Sequence, residues 1–221
     1  YCHGGGYTSG NLGYSRVLSS KLAHATGYDV LSFEYRLAPE FPYPAAVEDA
    51  LRAWDYLMLQ GYGARDIVLA GDSAGGNLAL VLCNRLKTAG RKLPGALILM
   101  SPWTDMTMSG KSYTERSEID PMLTPEYIEA VRLAYAAGRD YRSSDLSPLF
   151  ADFTSFPPTL IQVGDHEILY SDAEMLCHAL ERAGVPCRFE VSVGMWHVFQ
   201  MFPLRKAAAA MESVARFLLE R

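Results

Sequence analysis

The chain has 221 residues, a formal net charge of −5, and 49% hydrophobic against 20% charged residues. This is globular composition and excludes a disordered chain, while the acidic balance excludes attraction of nucleic acid or an anionic membrane by bulk charge. No apolar run approaches the ~18 residues that cross a bilayer, and a chain of this length buries a core without disulfide or metal staples.

In chain order, short apolar runs alternate with longer amphipathic segments. Tyr14 to Ala25 has a helical pattern, and Val30 to Tyr35 reads as a strand. Pro44 to Leu59 reads as a helix, with proline in its first turn and Gly61 just past its end. Ile67 to Ala70 is a strand, followed by a helix over Ser73 to Lys87 that is apolar on most sides and therefore expected to be buried. Ala96 to Met100, Thr159 to Val163 and Arg188 to Val193 are further strands; helices are expected over Pro125 to Ala137, Ser171 to Ala183 and Leu204 to Leu219. Several strands are nearly continuous in apolar residues, which suits a parallel sheet covered on both faces. Alternation with crossover helices predicts an α/β fold. The stretch from Thr104 to Phe156 breaks the rhythm, and we read it as a lid-like or pocket-wall insertion within one domain spanning residues 1–221. The four cysteines, Cys2, Cys83, Cys177 and Cys187, form no CxxC pair, so the reading is reduced thiols in a reducing compartment and no cysteine zinc site.

Gly71-Asp72-Ser73-Ala74-Gly75 matches G-x-S-x-G and falls between a strand and a helix, the context in which the motif presents a nucleophilic serine on a sharp turn. The bland alternative is a tight turn with an incidental serine. A phosphate loop is set aside because neither G-K-[ST] nor G-x-G-x-x-G is present. His3-Gly4-Gly5-Gly6 matches the H-G-G-G loop that offers backbone N–H groups to an oxyanion, and Gly5, Gly6 and Ala74 are the expected donors. A serine hydroxyl needs a base. Of the five histidines, His24 and His178 fall on amphipathic helices, and His166 sits in a turn after a strand. His197, in the loop after the last strand, occupies the place the fold class reserves for the base. The carboxylate that orients it belongs on the loop after the preceding strand, Gly164-Asp165-His166-Glu167, which offers both Asp165 and Glu167. The residues alone leave that choice open.

With His3-Gly4-Gly5-Gly6, Tyr35-Arg36-Leu37-Ala38-Pro39-Glu40, Gly71-Asp72-Ser73-Ala74-Gly75-Gly76 and Gly194-Met195-Trp196-His197 taken together, the chain resembles the hormone-sensitive-lipase-like family of α/β-hydrolases. The resemblance implies a mostly parallel sheet with helices on both faces. It also implies hydrolysis of short- to medium-chain acyl esters by Ser73, His197 and an acid thirty residues before the histidine, a register that selects Glu167 over Asp165. No metal or organic cofactor is implied. The expected partner is a small-molecule ester, with no nucleic acid, no stable membrane insertion and a cytoplasmic setting. Arg36 and Glu40 are expected to brace the loop before Pro44, and Asp72 to support the nucleophile turn by hydrogen bonding. Trp103, Met106, Leu169, Trp196 and Phe199 are the pocket candidates. The family has N-terminal strands and cap-forming helices ahead of the H-G-G-G loop. Their absence here reads as a fragment whose open sheet edge would favour a homo-oligomer. The rivals are a non-catalytic binding module on the same fold, or amidase or lactonase chemistry on the same residues.

Overall fold

The computed structural model describes residues 1–220. Four strands, β1 (Val68–Asp72), β2 (Ala96–Met100), β3 (Thr159–Gly164) and β4 (Cys187–Ser192), form one parallel sheet in sequential order. Seven helices surround it: α1 (Leu12–Thr26), α2 (Ala45–Leu59), α3 (Ala74–Thr88), α4 (Ser112–Glu115), α5 (Pro125–Ala136), α6 (Tyr170–Arg182) and α7 (Arg205–Glu220). The two-residue period of a strand divides the core. Leu69, Leu97, Leu99, Ile161 and Val163 pack on the side of α2, α3 and α6. Ala70, Ile98, Met100 and Leu160 pack on α1 and α7 through Leu18, Leu22, Met211 and Val214. Helix α3 buries eleven of its fifteen residues, as its apolar circumference predicts.

Local chemistry sets the helix ends. Asn11 Oδ1 accepts from Tyr14 N at 3.0 Å to cap α1, and Thr124 Oγ1 accepts from Tyr127 N at 3.2 Å to cap α5, which has Pro125 in its first turn. Arg36 joins α2 to the preceding loop: its Nε is 2.9 Å from Asp49 Oδ2 and its Nη2 2.9 Å from Glu48 Oε2. Glu40, the other residue expected to brace that loop, is exposed.

One expected strand does not form. Val30 to Tyr35 has strand composition, but a ladder needs a backbone neighbour along its length. Among the described residues the segment takes one main-chain bond, from Tyr1 N to Leu31 O at 2.8 Å. Tyr1 and Cys2 lie between it and β1, with Cys2 bridged to Gly71. An apolar cleft of about 180 Å³ lies alongside, lined by Tyr28, Val30, Phe33, Trp54 and Leu82 among others, and none of the expected site residues faces it.

The stretch from Thr104 to Phe156 carries α4, α5 and a short 3-10 turn, Pro148–Phe150. Its Tyr113, Ile128, Val131, Tyr135, Leu146 and Phe153 share the core of α2, α3 and α6. Asp172 Oδ2 anchors the start of this stretch, accepting from Thr104 N at 2.8 Å and Asp105 N at 2.9 Å.

Candidate active site

The register pairs Asp72 with Met100, Met100 with Gln162, and Gly164 with Ser192, so all four strands end on one edge. In a parallel sheet the first residues beyond each strand are therefore neighbours. Ser73, Ser101, Glu167 and His197 follow β1, β2, β3 and β4 respectively.

Ser73 has φ 54° and ψ −123°, a left-handed conformation that costs a non-glycine residue strain. The sharp turn requires its flanking glycines. A Cβ at Gly71 would lie 2.3 Å from Gly75 O, and one at Gly75 would lie 2.0 Å from Cys2 O. Ser73 N donates to Met100 O at 2.9 Å and its carbonyl accepts from Trp103 N at 3.1 Å, which fixes the residue at the strand end. Ser73 is partly exposed, and its hydroxyl makes no hydrogen bond among the described residues. A nucleophile–base contact is often long before substrate arrives and tightens in the complex.

His197 and Glu167 are both buried, and His197 Nδ1 donates to Glu167 Oε2 at 2.9 Å. A carboxylate accepts only, so this bond fixes the tautomer and leaves Nε2 as the basic nitrogen. The other Glu167 oxygen, Oε1, accepts from Gly164 N at 2.7 Å and Ser101 Oγ at 2.8 Å. Asp165 turns elsewhere: its Oδ1 accepts from Gly194 N at 2.6 Å and lies 3.8 Å from His166 Nε2. The ambiguity left by the loop sequence is thus a matter of side-chain direction.

The H-G-G-G loop runs beside the turn. The N–H groups of Gly5, Gly6 and Ala74 meet no acceptor among the described residues, and Ala74 opens α3, where the helix dipole favours negative charge. Buried Asp72 ties this loop to the nucleophile turn: its Oδ1 accepts from Gly4 N at 3.0 Å and from Tyr1 Oη, and its Oδ2 from Tyr14 Oη at 2.7 Å. Burial raises the Asp72 pKa, and these donors oppose the rise. His3 Nδ1 donates to Gly4 O at 2.7 Å, and its ring stacks on Tyr35 at 4.1 Å; burial lowers its pKa and favours the neutral ring. Helix α5 closes over the loop, for a Cβ at Gly6 would meet Val131 Cγ1 at 3.0 Å and Tyr127 Oη at 3.1 Å.

Four of the pocket candidates are core residues instead. Trp103, Met106, Leu169 and Phe199 are at most 1% exposed. Trp103, Met106 and Leu169 join the core of α2, α3 and α6, and Phe199 packs with Ala207 and Ala210 of α7. Trp196 is partly exposed and packs edge-on to Phe202 at 5.6 Å. Among the described residues no His, Cys, Asp or Glu cluster could hold a metal ion, and no helix is long and apolar enough to cross a membrane.

The family described as having the alpha/beta hydrolase fold matches residues 1–201. The chain is 41% identical over 220 residues to an acetyl-hydrolase of Streptomyces hygroscopicus, covering 99% of this chain and 74% of that protein. It is 38% identical over 221 residues to an esterase of Acinetobacter venetianus, with 98% and 73% covered. The crystal structure of an esterase from the bacterial hormone-sensitive lipase family superposes with a TM-score of 0.97 at 40% identity, over all of this chain and 75% of that one. The chain belongs to the hormone-sensitive-lipase-like α/β-hydrolases. It is an ester hydrolase of the carboxylesterase type. Three residues of this esterase that organise the site carry no motif signal: Ser101, Asn77 and Tyr7. Asn77 Oδ1 accepts from Tyr7 Oη at 2.7 Å, and its Nδ2 donates to Trp103 O and Leu146 O, each at 2.9 Å. The signal available for Ser101 was its place directly after a strand neighbouring the acid's strand.

Proposed function

We propose that this esterase cleaves short- to medium-chain acyl esters of small molecules through Ser73, His197 and Glu167. The observation that carries the reading is the buried Glu167–His197 pair on the strand edge that also bears Ser73. Ser73 Oγ attacks the ester carbonyl carbon as His197 Nε2 takes its proton, with Glu167 stabilising the imidazolium. The tetrahedral oxyanion accepts hydrogen bonds from Gly5, Gly6 and Ala74 N–H, groups with no other acceptor among the described residues. His197 returns the proton to the alkoxide oxygen as the C–O bond breaks, the alcohol leaves, and an acyl-serine remains. Water then attacks the acyl carbon, giving its proton to His197, and Ser73 is regenerated with release of the acid. The close approach of Val131 and Tyr127 to Gly6 favours a small acyl group beside the oxyanion donors.

The test is labelling by a fluorophosphonate together with turnover of p-nitrophenyl butyrate. Both require Ser73, and the Ser73→Ala variant should lose both. A variant that still turns over ester would overturn the assignment. Turnover should fall as the acyl chain of the p-nitrophenyl ester is lengthened.

A further inference from the structure

Ser101 stands outside the three groups of that mechanism, yet it touches two of the loops that carry them. Its hydroxyl donates to Glu167 Oε1 at 2.8 Å and accepts from Val198 N, the residue after His197, at 3.0 Å. The buried hydroxyl thereby uses its one donor and one of its two acceptor sites. The backbone is strained at both ends of this link. Ser101 has φ 48°, and Val198, β-branched and therefore poorly suited to this region, has φ 50°. Strain at two positions joined by a hydrogen bond persists only where the surroundings enforce it. Ser101 N in turn donates to Gln162 O at 2.7 Å, so the hydroxyl is carried on the β2–β3 ladder and not on a free loop.

We infer that Ser101 is a positioning residue for ester hydrolysis: through one hydroxyl it fixes the Glu167 carboxylate and the His197 loop relative to one another. This rests on the assignment of Glu167 and His197 proposed above. Gly164 N holds the same Glu167 oxygen from one side, and Ser101 defines the second direction. Without the hydroxyl the carboxylate gains freedom to rotate, the Val198 N–H is left buried without its acceptor, and the imidazole loses the orientation that presents Nε2. Substrate itself does not touch Ser101, which is fully buried. The predicted effect therefore falls on kcat and spares KM.

The test is a double-mutant cycle on p-nitrophenyl butyrate with the variants S101A, E167A and S101A/E167A, each also followed by thermal unfolding. S101A should lower kcat about tenfold, the size expected for one lost hydrogen bond to a charged group, with KM within a factor of about two. In the E167A background the same substitution should lower kcat clearly less, because the carboxylate it fixes is gone and only its contact with Val198 N remains. S101G serves where S101A does not accumulate as folded protein, since glycine accepts the positive φ and removes the same hydroxyl. Wild-type kcat in S101A, or in S101G where that is the variant measured, overturns the inference. So does an equal loss in both backgrounds, or a loss that appears as raised KM. If E167A itself keeps wild-type kcat, the fault lies in the triad assignment and the Ser101 inference falls with it. If E167A collapses the rate and S101A does not, the triad stands and only Ser101 is wrongly placed.

Discussion

Glu167 and His197, thirty positions apart in sequence, meet as a buried pair at 2.9 Å, while Asp165 in the same loop points at Gly194. The two carboxylates of that loop therefore make different predictions. Glu167→Ala should lower kcat by roughly 10³- to 10⁴-fold, the usual cost of losing the acid that orients a catalytic imidazole. Asp165→Ala removes the acceptor for Gly194 N–H and loosens the turn ahead of His197, so it should cost far less. Steady-state kinetics of the two variants side by side decides the matter; the reverse ranking would move the acid to Asp165.

Asn77 ties three segments of the site together from within α3. It takes the Tyr7 hydroxyl of the oxyanion loop and holds the carbonyls of Trp103 and Leu146. Tyr7 is also stacked on Tyr135 at 3.7 Å, which couples the loop to α5. Asn77→Ala leaves the buried Tyr7 hydroxyl and both carbonyls without this partner and should destabilise the fold by at least about 1–3 kcal/mol. Tyr7→Phe breaks one of the three bonds and should cost less. Denaturant unfolding of both variants measures the difference, and equal costs would show that the Asn77 carbonyl bonds contribute nothing.

The contrast between these residues explains how far sequence reading reached. The placement of Ser73 and His197 at one sheet edge was legible because strand–turn–helix and strand–loop contexts show in hydrophobic periodicity. The choice between Asp165 and Glu167 was not legible from residue types, since both belong to one loop and only side-chain direction separates them. Ser101 and Asn77 have no signature, because a lone serine or asparagine acquires a role only when the sheet register brings other loops to it. Val30 to Tyr35 failed for the opposite reason: its composition favours a strand, but pairing is a property of the neighbour and not of the segment. The same limit placed Trp103 and Phe199 in a pocket when packing had taken them into the core.

Gly75 tests how closely the nucleophile turn and the oxyanion loop are fitted. A Cβ there would sit 2.0 Å from Cys2 O and 2.5 Å from His3 O, both backbone atoms with no flexible side chain to yield. Gly75→Ala should therefore displace the Cys2–His3 segment that leads into Gly5 and Gly6, with a cost at the upper end of the about 1–3 kcal/mol typical of overpacking, or beyond it. Folded Gly75→Ala protein should show a larger loss in kcat than in substrate affinity, as expected when oxyanion donors are misplaced. Wild-type kinetics and stability together would show that the two segments are free to separate.

Asp172 predicts a pH dependence of stability that has nothing to do with the triad. Its Oδ2 accepts two backbone N–H groups, but Oδ1 is buried without a hydrogen bond among the described residues and the nearby Asp105 carboxylate adds repulsion. Burial is the main cause, and it pushes the carboxyl up to about 8 from an ordinary 3.8. The folded state thus keeps a proton through a range in which the unfolded chain has already lost it. Stability from this group is greatest below about pH 4, falls as pH rises from about 4 to 8, and is level above that. Asp172→Asn keeps an oxygen to accept from Thr104 and Asp105 and carries no charge, so it should remove this slope. The measurement is the melting temperature of wild type and Asp172→Asn from pH 5 to pH 9, where the variant should gain on wild type as pH rises. Parallel curves would mean that Asp172 is already ionised in the folded protein throughout that range, with its charge stabilised by the Thr104 and Asp105 amides and the Tyr113 hydroxyl.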